Sequence, residues 1–127
     1  MYELTVRRQF DAAHHLEGYP GRCARLHGHT WLVEVTAAGD ELDEHGMLID
    51  FHELQRLVEE TVKDLDHQDL NALAPFRHPG RETNPTAENI ARYIYRRLKT
   101  HLQQNGLKLM KVKVWESPDA WAGYGEG

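Results

Sequence analysis

Alternation of apolar and polar residues in some stretches of this chain, and helical spacing of apolar residues in others, fixes the fold class before any single residue is considered. From Tyr2 to His14 the residues Tyr2, Leu4, Val6, Phe10, Ala12 and His14 share one parity, while Glu3, Thr5, Arg7, Gln9 and Asp11 take the other. That pattern predicts a strand with one buried face. A second strand is expected from His27 to about Ala37, with His27, His29, Trp31, Val33 and Val35 on one side. Glu17 to Ala24 reads as loop, as does the acidic run after Gly39, and Met47 to Asp50 as a short extended piece. Asp50 is then a helix N-cap, and Phe51, Leu54, Leu57, Val58, Val62 and Leu65 predict an amphipathic helix ending near Asp66 and His67. Asn71 to Pro85 is loop. Thr86 caps a second helix with the stripe Ile90, Ala91, Ile94, Leu98 and Leu102, which Asn105-Gly106 stops. Lys108 to Glu116 alternates again, with Met110, Val112, Val114 and Glu116 on one face, and Ala120 to Tyr124 can add a last short strand. The order predicts an α+β domain, an antiparallel sheet with both helices on one face.

A chain of 127 residues accommodates one domain, residues 1–127, with a real core. Its net charge of -5 with interspersed signs argues against a nucleic-acid surface, which demands a basic stripe. A lone cysteine cannot form an internal disulfide, and no segment reads as a signal peptide or a bilayer span. No membrane partner and a reducing cytoplasm are therefore expected.

Nine histidines make metal chemistry worth testing against the strand phases. His27 and His29 are two apart on a strand, so their side chains leave one face with roots about 7 Å apart. His14 has the parity of Val6 and Phe10. If the first two strands pair as an antiparallel hairpin, His14 at the end of one meets His27 and His29 at the start of the other. Three neutral imidazoles with a vacant position are the donor set of a catalytic zinc, whereas a structural zinc is normally closed by four protein ligands. His15 points with the polar set, toward solvent or the rim of the site. His45, His52, His78 and His101 converge with nothing and are expected on the surface.

Cys23 lies in a polar loop between Arg22 and Arg25, where positive charge favours thiolate; the alternative is a small buried hydrophobe. Asp66 beside His67 can orient and charge an acid/base imidazole, although helix ends attract histidine anyway. Glu116 follows Val112 and Val114 onto the apolar face, where a carboxylate needs a partner such as paired N–H donors on a substrate; reaching solvent at the strand end is the alternative.

Six ordered blocks carry a resemblance across nearly the whole chain. FDAAHHL at Phe10 to Leu16, CARLHGH at Cys23 to His29, LIDFHEL at Leu48 to Leu54, LDHQDLN at Leu65 to Asn71, NPTAEN at Asn84 to Asn89 and VKVWES at Val112 to Ser117 resemble the 6-pyruvoyltetrahydropterin and 6-carboxytetrahydropterin synthase family. The resemblance implies the tunnelling fold, two helices on a four-stranded antiparallel sheet, with sheets joining between subunits into a barrel and usually a hexamer, a dimer of trimers. By the same resemblance His14, His27 and His29 match zinc ligands and Cys23 the catalytic cysteine. Asp66 and His67 match an acid/base pair that approaches from a neighbouring subunit. Glu116 matches the glutamate that anchors the pterin ring, and Thr86 and Glu88 fall in a segment that also lines the pterin pocket. Arg22, Arg25, Arg77 and Arg81 are candidates, on charge alone, for meeting a triphosphate.

Three residues separate Cys23 from His27, a compact spacing similar to the bacterial carboxy-forming members. The chain's ending, VWESPDAWAGY, is similar to theirs as well. The implied reaction converts 7,8-dihydroneopterin triphosphate to 6-carboxy-5,6,7,8-tetrahydropterin, with release of acetaldehyde and triphosphate, toward queuosine and related 7-deazaguanines. Formation of 6-pyruvoyltetrahydropterin without carbon loss, and a non-catalytic metal- or pterin-binding module, are the alternatives.

Overall fold

Alternation over the first residues produces one long strand, β1 (Tyr2–His14), whose buried positions Val6, Phe10, Ala12 and His14 all face the same way. A computed structural model describes residues 1–78 and 80–127 of the chain. Strand β2 (His27–Gly39) runs back along β1 in unbroken antiparallel register, with Val6 opposite Val35, Phe10 opposite Trp31 and His14 opposite His27. The loop between them is closed at its base by the Leu16 amide, which donates to the Cys23 carbonyl over 2.7 Å, and contains one 3₁₀ turn at Arg22–Ala24.

Helix α1 (Phe51–Val62) starts where Asp50 accepts the His52 amide at 2.7 Å, and it buries Leu54, Leu57, Val58 and Val62. It ends earlier than its apolar spacing predicts. The chain leaves the helix after Val62 in a turn, Leu65 stays buried, and His67 takes a left-handed backbone with φ 57. Among the described residues it is the one non-glycine with positive φ. The turn brings Gln68–Asp69 beside Ala12 and Ala13 as a short parallel strand, β3.

Helix α2 (Ala87–Gln104) is capped by the Thr86 hydroxyl, which accepts the Asn89 amide at 3.1 Å. It buries Ile90, Ala91, Ile94, Leu98 and Leu102 against the sheet. Strand β4 (Lys108–Ser117) pairs antiparallel with β2, and β5 (Ala120–Tyr124) pairs antiparallel with β4. The sheet is thus five-stranded in the order β3-β1-β2-β4-β5. Four antiparallel strands were expected; those four are present, but β3 makes the sheet mixed. A two-residue strand has no alternation to announce it, because its pairing depends on the turn at His67 rather than on its own side chains. Likewise, Met47 to Asp50 forms no strand, the chain bending at Leu48 and Ile49.

Trp31, Val33, Val35, Val112 and Val114 from the sheet and the buried stripes of both helices form one apolar cluster. The other sheet face carries Arg7, Asp11, Thr30, Glu34 and Lys113 and is open, apart from Glu34, which is buried between Arg7 at 3.0 Å and Lys113 at 3.4 Å. Strand β1 has β3 beside it only at Ala12 and Ala13, so among the described residues its outer edge from Tyr2 to Asp11 pairs with no strand. No helix among them is long and apolar enough to cross a membrane.

Candidate metal centre

The hairpin register sets His14 directly opposite His27, and Ala12 opposite His29. The phase of β1 and β2 therefore delivers all three imidazoles to the apolar face at one end of the sheet. Their ring centroids stand 4.6, 4.8 and 5.1 Å apart, and one nitrogen from each ring falls within 4.8 Å of the other two. Trp31, fully buried below them, packs edge-on against His14 at 4.9 Å and His29 at 5.1 Å, and its indole N–H donates to the Ala12 carbonyl at 3.2 Å.

The backbone selects the tautomer of two of these rings. His14 Nδ1 donates to the Pro85 carbonyl at 2.7 Å and His27 Nδ1 donates to the Arg25 carbonyl at 2.6 Å, because a carbonyl can only accept. That leaves Nε2 of each ring as a lone pair. Burial pushes His14 below the ordinary histidine value of 6.5, with the neighbouring rings of His27 and His29 pushing the same way; burial likewise lowers His29. Neutral imidazoles are the form that binds a cation. Nε2 of His14 and Nε2 of His29 are buried and have no hydrogen-bond partner among the described residues, a costly condition for a polar atom unless something else meets it. The three residues therefore fit a divalent cation.

Glu116, on the same face of β4, places Oε1 3.6 Å from both of these nitrogens. The carboxylate is partly exposed and borders a cleft of about 680 Å³, whose lining includes Arg7, His29, Leu32, Trp115 and Pro118. The cleft thus has apolar walls, a carboxylate at one end and a cation site beside it.

Asp66 and His67 are not brought to the histidine trio within one chain. His67 Nδ1 lies 2.9 Å from Asp66 Oδ2, and the pair sits at the β3 edge, where the imidazole is largely exposed. Its contacts are with Asp11 on the open face: the His67 amide donates to the Asp11 carbonyl, and the Asp11 amide donates to Asp66 Oδ1 at 2.9 Å. The hydrogen bond from Asp11 and the imidazole hold the Asp66 carboxyl below its ordinary value, while Asp66 raises His67. Cys23 is half-buried in the 3₁₀ turn of the β1–β2 loop. Thr86 uses its hydroxyl to cap α2, and Glu88 is exposed in the first turn of that helix. Arg22, Arg25, Arg77 and Arg81 are all exposed.

His15 stands apart from the trio, its Nε2 on Glu17 at 2.8 Å and its amide on the Asn71 side chain at 2.9 Å. His45, His52, His78 and His101 are exposed. Sequence reasoning passed over Pro85, Asp11 and Asn71. Pro85 acts through a carbonyl that every residue type carries, and an aspartate of polar parity reads as solvated. Only the NPTAEN block signalled that the segment before α2 belongs near the site.

The family model described as 6-pyruvoyl tetrahydropterin synthase matches residues 3–127. A Haemophilus influenzae relative named 6-carboxy-5,6,7,8-tetrahydropterin synthase is 33% identical over an alignment covering 99% of this chain and 100% of its own length. A Pyrococcus furiosus relative named dihydroneopterin monophosphate aldolase is 36% identical, covering 89% of this chain and 88% of its own. The solved structure of Caenorhabditis elegans 6-pyruvoyl tetrahydropterin synthase matches with a TM-score of 0.80 at 28% identity, covering 100% of this chain and 98% of that one.

Proposed function

Because the chain belongs to the 6-pyruvoyl tetrahydropterin synthase family, we propose that it is a zinc-dependent lyase acting on 7,8-dihydroneopterin triphosphate. With one water consumed, the products are 6-carboxy-5,6,7,8-tetrahydropterin, acetaldehyde and triphosphate, on a route to queuosine and related 7-deazaguanines. The observation that carries this reading is the pair of buried, unpartnered nitrogens on His14 and His29, grouped with His27 beside a cleft that Glu116 borders.

Zinc held by His14, His27 and His29 would supply Lewis-acid polarisation of a side-chain oxygen of the substrate. Glu116, which faces His14 and His29 and also borders the cleft, would accept the adjacent ring N–H and 2-amino protons of the pterin in two parallel charge-assisted bonds once it swings toward the substrate. Leu32, Trp115 and Pro118 exclude water from one wall of that cleft. Cys23 removes a proton from the substrate side chain, and His67 returns one. Asp66 occupies His67 Nδ1, which leaves Nε2 for this exchange. On the family resemblance, Thr86 and Glu88 would contribute to pterin binding from the start of α2, next to the Pro85 carbonyl that holds His14.

Asp66 and His67 reach this chemistry from a neighbouring copy. Their exposed position at the β3 edge, and the unpaired edge of β1, support a homo-oligomeric barrel in which sheets join between subunits, a hexamer built as a dimer of trimers. The exposed Arg22, Arg25, Arg77 and Arg81 suit a polyanionic substrate on charge, whereas Arg7, which lines the cleft, is already paired with Glu34.

The compact interval between Cys23 and His27, and the full-length similarity to the H. influenzae protein, favour the carboxy-forming outcome. The second reading is a pyruvoyl-forming enzyme, favoured by the name of the matching C. elegans structure. Incubation of metal-replete protein with dihydroneopterin triphosphate, with identification of both carbon fragments, separates them. Acetaldehyde with a 6-carboxy product supports the proposal. A 6-pyruvoyl product with no acetaldehyde selects the second reading, and a glycolaldehyde fragment still carrying the triphosphate selects aldol cleavage, the reaction class in the name of the P. furiosus relative.

A further inference from the structure

Asp11 makes three separate contacts around the Asp66–His67 pair. Its carbonyl accepts the His67 amide, its amide donates to Asp66 Oδ1 at 2.9 Å, and its own carboxylate accepts the Thr30 hydroxyl at 2.6 Å. The first contact bears on a strained residue. His67 has φ 57, a left-handed backbone uncommon outside glycine, and the Asp11 carbonyl ties down its amide there. The third contact fixes where the Asp11 charge points: one oxygen of Asp11, one of Asp66 and one ring nitrogen of His67 all lie within 4.8 Å of one another.

We propose that Asp11 is a positioning residue of the Asp66–His67 pair, clamping both residues through its backbone and facing the imidazole with a second carboxylate that Thr30 pins in place. The inference rests on the acid/base role given to His67 above, but its geometry is independent of any metal. Two carboxylates on one imidazole favour the charged ring more than one does. The His67 ring is raised first by Asp66 and further by Asp11. The other titratable groups around the same hollow are Asp69 on β3 and His29 on β2, whose ring belongs to the opposite face; β2 otherwise contributes the neutral Thr30. No cation faces the ring from these elements among the described residues, so none of them offsets the second carboxylate.

The arrangement has a use. A histidine that must hand a proton to a carbon or oxygen of the substrate has to be protonated when the substrate arrives. A single exposed aspartate, screened by water, is a weak device for that, and a second one held by a neighbouring strand strengthens it without burying the ring.

The test uses the full metal-replete assembly with histidine rings labelled with carbon-13, the His67 resonance being assigned by its loss in His67→Gln. Asp11→Asn keeps the backbone clamp and removes the charge; Thr30→Val keeps the charge and releases the pin. Asp11 and Thr30 are both exposed on the open face, so neither change touches the apolar core. The His67 titration midpoint is expected to move down in Asp11→Asn and to move less, in the same direction, in Thr30→Val. An unmoved midpoint in both variants overturns the inference. The pH profile of turnover is read alongside: if the midpoint falls while the basic limb of turnover stays in place, Asp11 is correctly assigned and the acid/base role of His67 is what fails.

Discussion

Oε1 of Glu116 and Nε2 of His14 face one another across 3.6 Å, an acceptor against a buried lone pair. The two attract only when a positive charge stands with them, and the same carboxylate lies equally far from His29. In a tetrahedral centre with bonds of about 2.0–2.1 Å the donor atoms sit roughly 3.3 Å apart, so the spacing is near that of ligands sharing one ion.

Removing His29 as His29→Ala should therefore drop bound zinc from about one equivalent per chain toward zero, read by elemental analysis after gel filtration. The helix signal in circular dichroism should persist, because the apolar cluster of α1, α2 and the sheet does not include the trio. Unfolding of the wild-type chain on chelation would instead make the ion structural.

Glu116→Gln replaces one acceptor oxygen with a donor that meets the ring N–H head-on. Affinity for a reduced pterin should fall roughly 10- to 100-fold, the loss of a hydrogen bond to a charged group, by isothermal titration. Zinc content should stay within a factor of about two, since three imidazoles remain.

Cys23→Ala should bind the pterin as the wild type does while turnover falls about 10²- to 10⁴-fold, the range for a missing acid/base group. Full activity in this variant would remove Cys23 from the reaction; a chain with no turnover in either form would be a binding module.

Acid stability should depend on the chain's last residues. Glu126 is held at about 2, chiefly by Lys99 and then by the Tyr124 hydroxyl, with Arg96 assisting, against an ordinary value of 4.5. A depressed carboxyl contributes stability that is present above 4.5 and is lost as pH falls toward 2. Melting temperatures of wild type and Glu126→Gln should differ most near neutral pH, draw together as pH falls below 4.5 and converge below about 2. A constant difference across that window would show that the clamp acts through packing alone.

The histidine trio was legible because a period-two strand fixes side-chain direction and a hairpin fixes register: His14, His27 and His29 needed nothing else. What stayed hidden depended on backbone groups or on a single dihedral. The length of α1 was overread because Leu65 continues the apolar spacing while the chain itself turns out of the helix, and β3 follows from the left-handed residue His67. The hold of Pro85 on His14 and the clamp of Asp11 on Asp66 are main-chain contacts, to which side-chain patterning is blind.

The long free flank of β1 has a practical corollary. On the proposed joining of sheets, this run of amide donors and carbonyl acceptors is the seam between copies, and its closure would decide how many finished reaction chambers a solution contains. Specific activity should accordingly fade on dilution, while every separate chain keeps its helices.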